Sequence, residues 1–192
     1  MGTAKEPAPA KLVMAMLAPR GEWFDRAEGA LQERLGPIDY RSEALPFDHT
    51  TYYEAEFGGG LLRRFAAFER LTDPGELAAI KTWTNALEQE WAEAGNRHLN
   101  LDPGYMTLAT FVLATTKDHG HRIYLGQGIY GEVTLTYRDR DWRPWPWTYP
   151  DYRSAAYLKV LREIRALLAR QLRERVPTGR RDVTPRSEKR PK

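Results

Sequence analysis

The sequence contains no cysteine, and this absence removes several classes of chemistry at once. Without thiols there is no disulfide, no iron–sulfur cluster, no cysteine-ligated zinc and no thiolate nucleophile. The sequence also lacks the run of roughly 20 apolar residues that a membrane-spanning helix needs, and the N-terminal pattern of a signal peptide. We therefore expect a cytoplasmic protein with no membrane partner. Its chemistry must come from carboxylates, histidines, lysines, arginines, hydroxyls or a bound cofactor.

Intact nucleotide-binding motifs are also missing. Gly126 and Gly131 have the glycine spacing of a phosphate-binding P-loop, but Glu132 stands where a lysine must meet the phosphates. The Thr-Lys-Asp string at 116–118 resembles the guanine-recognition tetrad with its acid one position too early. No Gly-x-Gly-x-x-Gly follows a predicted strand. These departures exclude a P-loop GTPase.

The composition is that of one folded domain with an uneven charge distribution. The chain has 192 residues, of which 42% are hydrophobic and 29% charged. Residues 1–150 carry 16 basic against 21 acidic side chains, whereas residues 151–176 carry 7 against 3 and residues 177–192 carry 6 against 2. The basic excess therefore lies at the C-terminal end, which predicts a possible nucleic-acid partner there first.

Apolar spacing and Pro/Gly punctuation predict the order of the elements. Two long helices are clearest: one begins at Asp73-Pro74 and runs to Ala94, and the other spans Ser154–Val176. A third helix is predicted over Glu22–Leu35. Residues 61–71 fit either a helix or a return strand, and we favour the strand. The other predicted strands are 11–17, 38–47, 50–57, 97–101, 107–116, 121–125 and 129–137, with a turn at 102–104.

Together these elements predict a single α+β domain with a mostly antiparallel sheet, two to three packed helices and a long C-terminal amphipathic helix. The order strand–helix–strand–strand–helix–strand in the first half resembles a ferredoxin-like unit. Residues 1–10 are predicted to be a disordered leader, residues 11–176 the domain, and residues 177–192 a disordered basic tail.

Acidic side chains at alternate strand positions form the first candidate site. If residues 50–57 are a strand, Glu54 and Glu56 share one face, as do Asn100 and Asp102 on their own segment, and Glu132 shares a face with two threonines. We expect these groups to converge. Glu54, Glu56 and Asp102 would then ligate Mg²⁺ or Mn²⁺, or act as acid/base groups. The competing interpretation is that they are the hydrated faces of ordinary antiparallel strands.

Two further candidate regions contain histidines and aromatic rings. His119 and His121 flank Gly120, with Lys117 and Arg122 close by, which is a pattern for general acid/base work, a transition metal or anion binding, and equally for a plain turn. Trp142, Trp145 and Trp147 alternate with prolines ahead of Tyr149, so this segment is either a stacking platform or a strap over the core. Candidate ligand-binding residues are Asn100, Tyr105, Lys117, Arg122, Trp147 and Tyr149.

Several strings in the sequence carry a family resemblance. They are TYYEAEFG (51–58), IKTWTNALE (80–88), RHLNLDPGYM (97–106), the inner part of 113–135, and WPWTYPDY (145–152). They resemble the bacterial and archaeal domain-of-unknown-function family 4416, from about Lys11 through the last helix. The resemblance implies no established activity, although a GTP-binding label is sometimes attached to members.

The sequence therefore supports two hypotheses from different classes. The first is a ligand-binding or metal-dependent domain acting on a phosphate-containing small molecule or nucleotide, with His119, His121 and the carboxylates as catalytic groups. The second is a nucleic-acid-associated module that uses the basic C-terminal helix and tail, or a scaffold without catalysis.

Overall fold

A computed structural model describes residues 2–48 and 54–175 of the chain, apart from the side chains of residues 54 and 55. The described strands are β1 Ala10–Ala18, β2 Ile38–Arg41, β3 Leu45–Pro46, β4 Leu62–Thr72, β5 Asn100–Met106, β6 Thr110–Thr115, β7 Ile123–Gly126, β8 Ile129–Arg138 and β9 Asp141–Pro144. The described α-helices are α1 Gly21–Leu35, α2 Glu54–Phe57, α3 Leu77–Glu90 and α4 Ala155–Arg175. The fold is α+β, as predicted.

All described strands belong to one antiparallel sheet in the order β2-β4-β1-β5-β6-β8-β7. β3 pairs with β4, and β9 pairs with β8. β1 lies near the middle and is buried along its whole length because helices cover both faces of the sheet there. The segment 61–71 is mostly strand, as we favoured, and β4 pairs with β1 along most of its length.

The first half has the predicted ferredoxin-like arrangement. β4 and β5 flank β1, β2 lies outside β4, and α1 and α3 pack on the same face of the sheet. Phe24, Leu31 and Ile80 from these helices meet Met14 and Met16 of β1. These contacts bury the apolar stripes that the helical spacing predicted.

Helix α4 covers the opposite face of the sheet. Its buried residues include Tyr157, Leu161, Ile164 and Leu168, which recur at steps of three and four residues as the stripe of an amphipathic helix does. They pack on β1, β4, β6 and β8, together with the buried Trp142 of β9. The molecule therefore has three layers, and both candidate sites described below lie on or beside the α4 face. No helix in the described ranges has the length and apolar character to cross a membrane.

Three sequence predictions are wrong in their local structure. Residues 54–57 form the short helix α2 and not the end of a strand, so the alternation that paired Glu54 with Glu56 does not apply there; residues 50–53 lie outside the described part. The predicted turn at 102–104 is the middle of β5, where Gly104 admits the Val112 carbonyl oxygen of β6. Helix α3 ends at Glu90 and not Ala94: Trp91 leaves the helical conformation with a ψ of 7°, and residues 93–96 form a turn closed by backbone hydrogen bonds between Glu93 and Asn96, with Ala94 at a positive φ of 51°.

Candidate functional site

The outer edge of β8 is paired by two separate short strands with a gap between them. β7 pairs with residues 129–131 of β8, and β9 pairs with residues 135–138. Residues 132 and 133 pair with β6 on their inner side, and Thr134 lies at an irregularity of that pairing; none of the three pairs with β7 or β9 on the outer side. We call this gap, with the side chains that fill it, the edge notch. Backbone groups in such a gap need other partners, because unpaired buried carbonyls are costly.

Side chains from residues 145–148 supply those partners. Trp147 Nε1 donates to the Val133 carbonyl at 3.1 Å, and Thr148 Oγ1 donates to the Thr134 carbonyl at 2.6 Å. Trp145 Nε1 donates to Thr136 Oγ1 at 2.9 Å. The segment 145–148 is therefore held against the edge of β8 by hydrogen bonds from its side chains. The indole N–H groups find acceptors in this way, while the apolar rings are free to stack.

Four flat rings stack in a row across the notch. Trp145 lies on Trp147 with ring centroids 5.1 Å apart and planes within 2°. Trp147 lies on His121 at 5.1 Å and 16°, and His121 on His119 at 5.9 Å and 4°. We call this row the ring ladder. Trp145 is 38% exposed and His119 is exposed, so both terminal residues reach solvent.

A buried carboxylate fixes the histidine end of the ladder. Glu132 is only 2% exposed, and its Oε2 atom lies 3.0 Å from His121 Nε2 and 2.9 Å from Arg122 Nε. The Arg122 guanidinium also donates to the Lys117 carbonyl and, at 3.2 Å, to the Tyr149 hydroxyl. Because a carboxylate accepts hydrogen bonds, Glu132 orients the His121 ring with Nε2 as the hydrogen-bond donor. Nδ1 is then the ring nitrogen that does not contact Glu132.

A second polar cluster lies on the same sheet but toward β4 and β5. We call it the ionic network; its members are Glu56, Arg63, Lys81, Glu88, Arg97, Asn100 and Asp102. Arg97 is its centre, because it makes two hydrogen bonds to Glu56, at 2.6 and 2.8 Å, and one to Glu88, at 2.6 Å. Such paired, charge-assisted contacts fix the geometry of a guanidinium closely.

The ionic network completes the free edge of β5. Residues 100–103 pair with β1 but not with β6. In place of a neighbouring strand, Lys81 donates to the Leu101 carbonyl at 2.6 Å and Glu88 accepts from the Leu101 N–H at 2.7 Å. Lys81 also reaches Asp102 at 3.3 Å. Two side chains of α3 thus replace a strand, and their burial is stabilised by each other's charge.

Charges within the network set the pKa values of its acids. Burial alone would raise the pKa of Asp102, but Lys81 and Arg63 outweigh it and hold that pKa below its ordinary value. The hydrogen bond from Arg97 lowers the pKa of Glu56. Burial raises the pKa of Glu88 despite its cationic neighbours.

A buried arginine extends the network toward α4. Arg63 has a side chain only 3% exposed and lies 3.4 Å from Asp102 and 3.8 Å from Asp151. Burial raises the pKa of Tyr157 beside it to about 12. Most charges here are compensated by protein groups, which is the pattern of a structural network.

The predicted acidic residues do not meet in one pocket. Glu56 and Asp102 belong to the ionic network, while Glu132 belongs to the edge notch. The register Gly104–Leu113–Glu132 places Glu132 two strands from β5, so its Cα lies roughly 12 Å from that of Asp102, given strand spacings of ~4.8 Å and a rise of ~3.3 Å per residue. The side chain of Glu54 lies outside the described residues. No group of three or more His, Asp or Glu side chains able to hold a metal occurs in the described residues.

The remaining candidate residues divide between these regions. His119, His121, Lys117, Arg122, Trp147 and Tyr149 all lie at the edge notch, which is the part of the prediction that the structure brings together. Asn100 lies in the ionic network, where its amide donates to Asp102 at 2.6 Å. Tyr105 points to the opposite face, where it packs beside Leu77 and Val112 of the α3 side.

Sequence reasoning missed all three cations of the ionic network. Arg63, Lys81 and Arg97 were not singled out, although one signal was present. Lys81 and Glu88 are seven residues apart on α3, so they lie on one helix face two turns apart, and both are buried. A lysine and a glutamate on the buried face of a helix need partners, which predicts an internal polar group opposite.

Comparisons with known proteins give one match. Neither the curated proteins nor the solved structures contain a match to the chain. A family model described as a domain of unknown function, DUF4416, matches residues 8–167. This range contains both the edge notch and the ionic network, and it ends within α4. The chain therefore belongs to the DUF4416 family of domains of unknown function.

Proposed function

We propose that this domain binds a phosphorylated molecule with a flat heterocyclic ring, a nucleotide or a close analogue, at the edge notch. The observation that carries the proposal is the ring ladder with its solvent-exposed terminal Trp145. A base that stacks on an aromatic side chain contributes about 1–3 kcal/mol, and stacking tolerates any base because every base has a π face.

Positive charge and hydrogen-bond donors lie beside the ladder. Arg122 is anchored by Glu132, and its guanidinium reaches the exposed Tyr149. His119 and Lys117 are exposed in the same turn. A phosphate placed next to this turn would meet the exposed Lys117, and also the exposed carboxylate of Asp118, which bonds to Tyr130. Glu132 and the Arg122 side chain are both buried and engaged with each other, so Arg122 acts on the site by holding the turn and the Tyr149 hydroxyl in place.

The metal-dependent alternative receives less support than simple binding. Glu56 and Asp102 are each contacted by cationic side chains, which supply the charge that a cation would otherwise bring. We therefore propose ligand binding alone, with no metal ion and no reaction. Cytoplasmic location remains a prediction of the sequence.

A matched pair of variants tests this proposal. Calorimetric titration of the chain with nucleoside monophosphates, and separately with inorganic phosphate, measures both affinities. Trp145→Ala should weaken nucleotide binding about tenfold, equivalent to ~1.4 kcal/mol and within the range for one stacked base. The control is Trp83→Ala, which removes a partly buried tryptophan under Arg34 on the α3 side.

Four results are informative. Loss of nucleotide affinity in Trp145→Ala but not in Trp83→Ala supports the proposal. Equal binding by both variants and the native chain would place the ligand elsewhere. Absence of any heat with every nucleotide would overturn the proposal. Phosphate binding without nucleotide preference would show that the rings take no part.

A further inference from the structure

A row of exposed arginines continues from the ladder along the β8–β9 hairpin. Arg143 is two residues before Trp145, so both lie on one side of the extended chain. Arg138 is the last residue of β8, and Arg140 lies in the tip of the hairpin. All three arginines are exposed, and none of them forms an ion pair within the described ranges.

The acids of the same hairpin do not cancel this charge. Asp141 is paired with Arg162 of α4 at 2.9 Å, which leaves Asp139 at the tip as the hairpin's remaining acid. The tip residues Asp139 and Arg140 have φ angles of 52° and 61°, so the hairpin closes through two left-handed residues. The surface leading away from Trp145 is therefore positive over the length of β9.

This positive surface is longer than one nucleotide needs. Trp145 is five residues beyond Arg140 at the tip, so the two lie roughly 17 Å apart at ~3.3 Å per residue. A base stacked on Trp145 brings its own phosphate near the ladder and leaves the tip arginines unused. A ligand with several phosphates in line would use the whole row.

We infer that the occupant of the edge notch is a single strand of nucleic acid. This inference rests on the proposed function and extends it from one nucleotide to several. Unpaired bases stack at the exposed ends of the ring ladder, and the backbone follows Arg143 toward Arg138 and Arg140. A duplex fits less well, since its bases are already stacked on each other and their faces are covered.

The experiment uses the full chain and labelled oligonucleotides of about 10 nucleotides, within the ~4–16 that such sites cover. Fluorescence anisotropy is measured for single-stranded RNA, single-stranded DNA and a duplex over a range of salt. Single strands should bind more tightly than mononucleotides. Engagement of two to three phosphates predicts a slope of log K against log salt of about −1.4 to −2.1, at ~0.7 per phosphate.

Charge reversal at one arginine of the row and at one exposed arginine elsewhere tests whether binding depends on the row or on positive charge in general. Arg143→Glu should weaken single-strand binding at least tenfold and reduce the salt slope by about 0.7. Arg20→Glu is the matched control, because Arg20 is 65% exposed beside α1 and distant in the fold from the notch. Trp145→Ala should weaken the same binding, and circular dichroism confirms that each variant is folded.

The outcomes separate the inference from the proposal it extends. If oligonucleotides bind no more tightly than mononucleotides while Trp145→Ala weakens both, the inference fails and the proposed function stands. If oligonucleotides bind but neither Trp145→Ala nor Arg143→Glu changes the affinity, the basic C-terminal residues carry the binding and the inference fails. If a duplex binds as tightly as a single strand, stacking is not the mode of recognition. If neither ligand class binds, both ideas fail.

Discussion

The ionic network and the edge notch are both polar clusters of the same sheet, yet their side chains are used differently. In the ionic network, Lys81, Glu88 and Arg97 form their hydrogen bonds with other members of the network and with the free edge of β5. In the notch, the polar tips of Trp145 and Trp147 hold the segment in place while their rings remain partly accessible. The network therefore stabilises the fold, and the notch offers a surface.

The contrast shows why residue type alone does not identify a binding site. Carboxylates are the usual candidates for chemistry, but here Glu56 and Asp102 are engaged by arginine and lysine. Aromatic rings are the usual candidates for the core, but two of the three tryptophans in residues 142–147 retain exposure. What distinguishes the two regions is how completely their groups are satisfied within the chain.

The largest expected effect is on stability, from removal of the lysine that joins three partners in the network. Lys81→Met should lower the free energy of unfolding by about 3–5 kcal/mol, because Glu88 and Asp102 lose one of the two cations that each contacts, and the buried Leu101 carbonyl loses its donor. Urea denaturation measures this loss. The double variant Lys81→Met with Glu88→Gln should recover part of it, and a native-like stability of the single variant would show that the network is not structural.

A smaller loss is expected from a substitution on the sheet between the two clusters. A Cβ at Gly104 would lie 2.5 Å from the Val112 carbonyl oxygen, so Gly104→Ala must push β5 and β6 apart and should cost about 1–3 kcal/mol. The control is Gly29→Ala in α1, where a Cβ meets nothing within 4 Å and alanine favours the helix. Thermal unfolding of both variants gives the comparison, and equal melting temperatures would contradict the close approach.

The smallest predicted effect is on the stability that the protein loses at acidic pH. The pKa of Glu56 is lowered in the fold by Arg97, so the folded state binds fewer protons than the unfolded chain near the ordinary value of 4.5. Its contribution is present above that value and is lost as the pH falls through the lowered pKa. Glu56→Gln should reduce the acid-induced loss of stability by at most about 1 kcal/mol. If the profile of melting temperature against pH below 5 is unchanged in this variant, Glu56 is not paired with Arg97 in the folded protein.

Glu88 acts in the opposite direction and provides a check on the sign. Burial raises its pKa, so its protonated form is favoured in the fold and stability is lost as the pH rises through the window above the ordinary value. Glu88→Gln should therefore reduce the loss of stability as the pH rises above the ordinary value of 4.5. Both variants are compared with the native chain in the same series of buffers.

The sequence predicted the elements better than it predicted their neighbours. A helical turn begins where Asp73 and Pro74 indicated: Pro74–Glu76 form a 3₁₀ turn that leads directly into α3, and the Asp73 side chain accepts from the Gly75 N–H at 2.8 Å. Such signals act over a few residues and are visible in the sequence. The proline and glycine at 103–104 also resemble a turn, but β1 on one side and the close approach of β6 at Gly104 on the other hold this segment extended.

The candidate site was predicted in part for the same reason. The histidine turn and Arg122 were adjacent in the sequence, so their grouping needed no knowledge of the sheet. The pairing of Glu132 with that turn depends on β7 returning along β8, and the separation of Glu132 from Asp102 depends on the order of β5, β6 and β8. Strand order is a property of the whole fold, and alternation within one strand does not reveal it.

The interrupted outer border of the sheet also bears on how copies of the protein behave at high concentration. A long uninterrupted border offers a row of free backbone groups to any neighbouring chain and promotes aggregation. Here β7 and β9 are only four residues each and are separated by a segment anchored through tryptophan and threonine side chains. The same arrangement that displays the rings thus shortens the edge that is available for strand addition by a second copy.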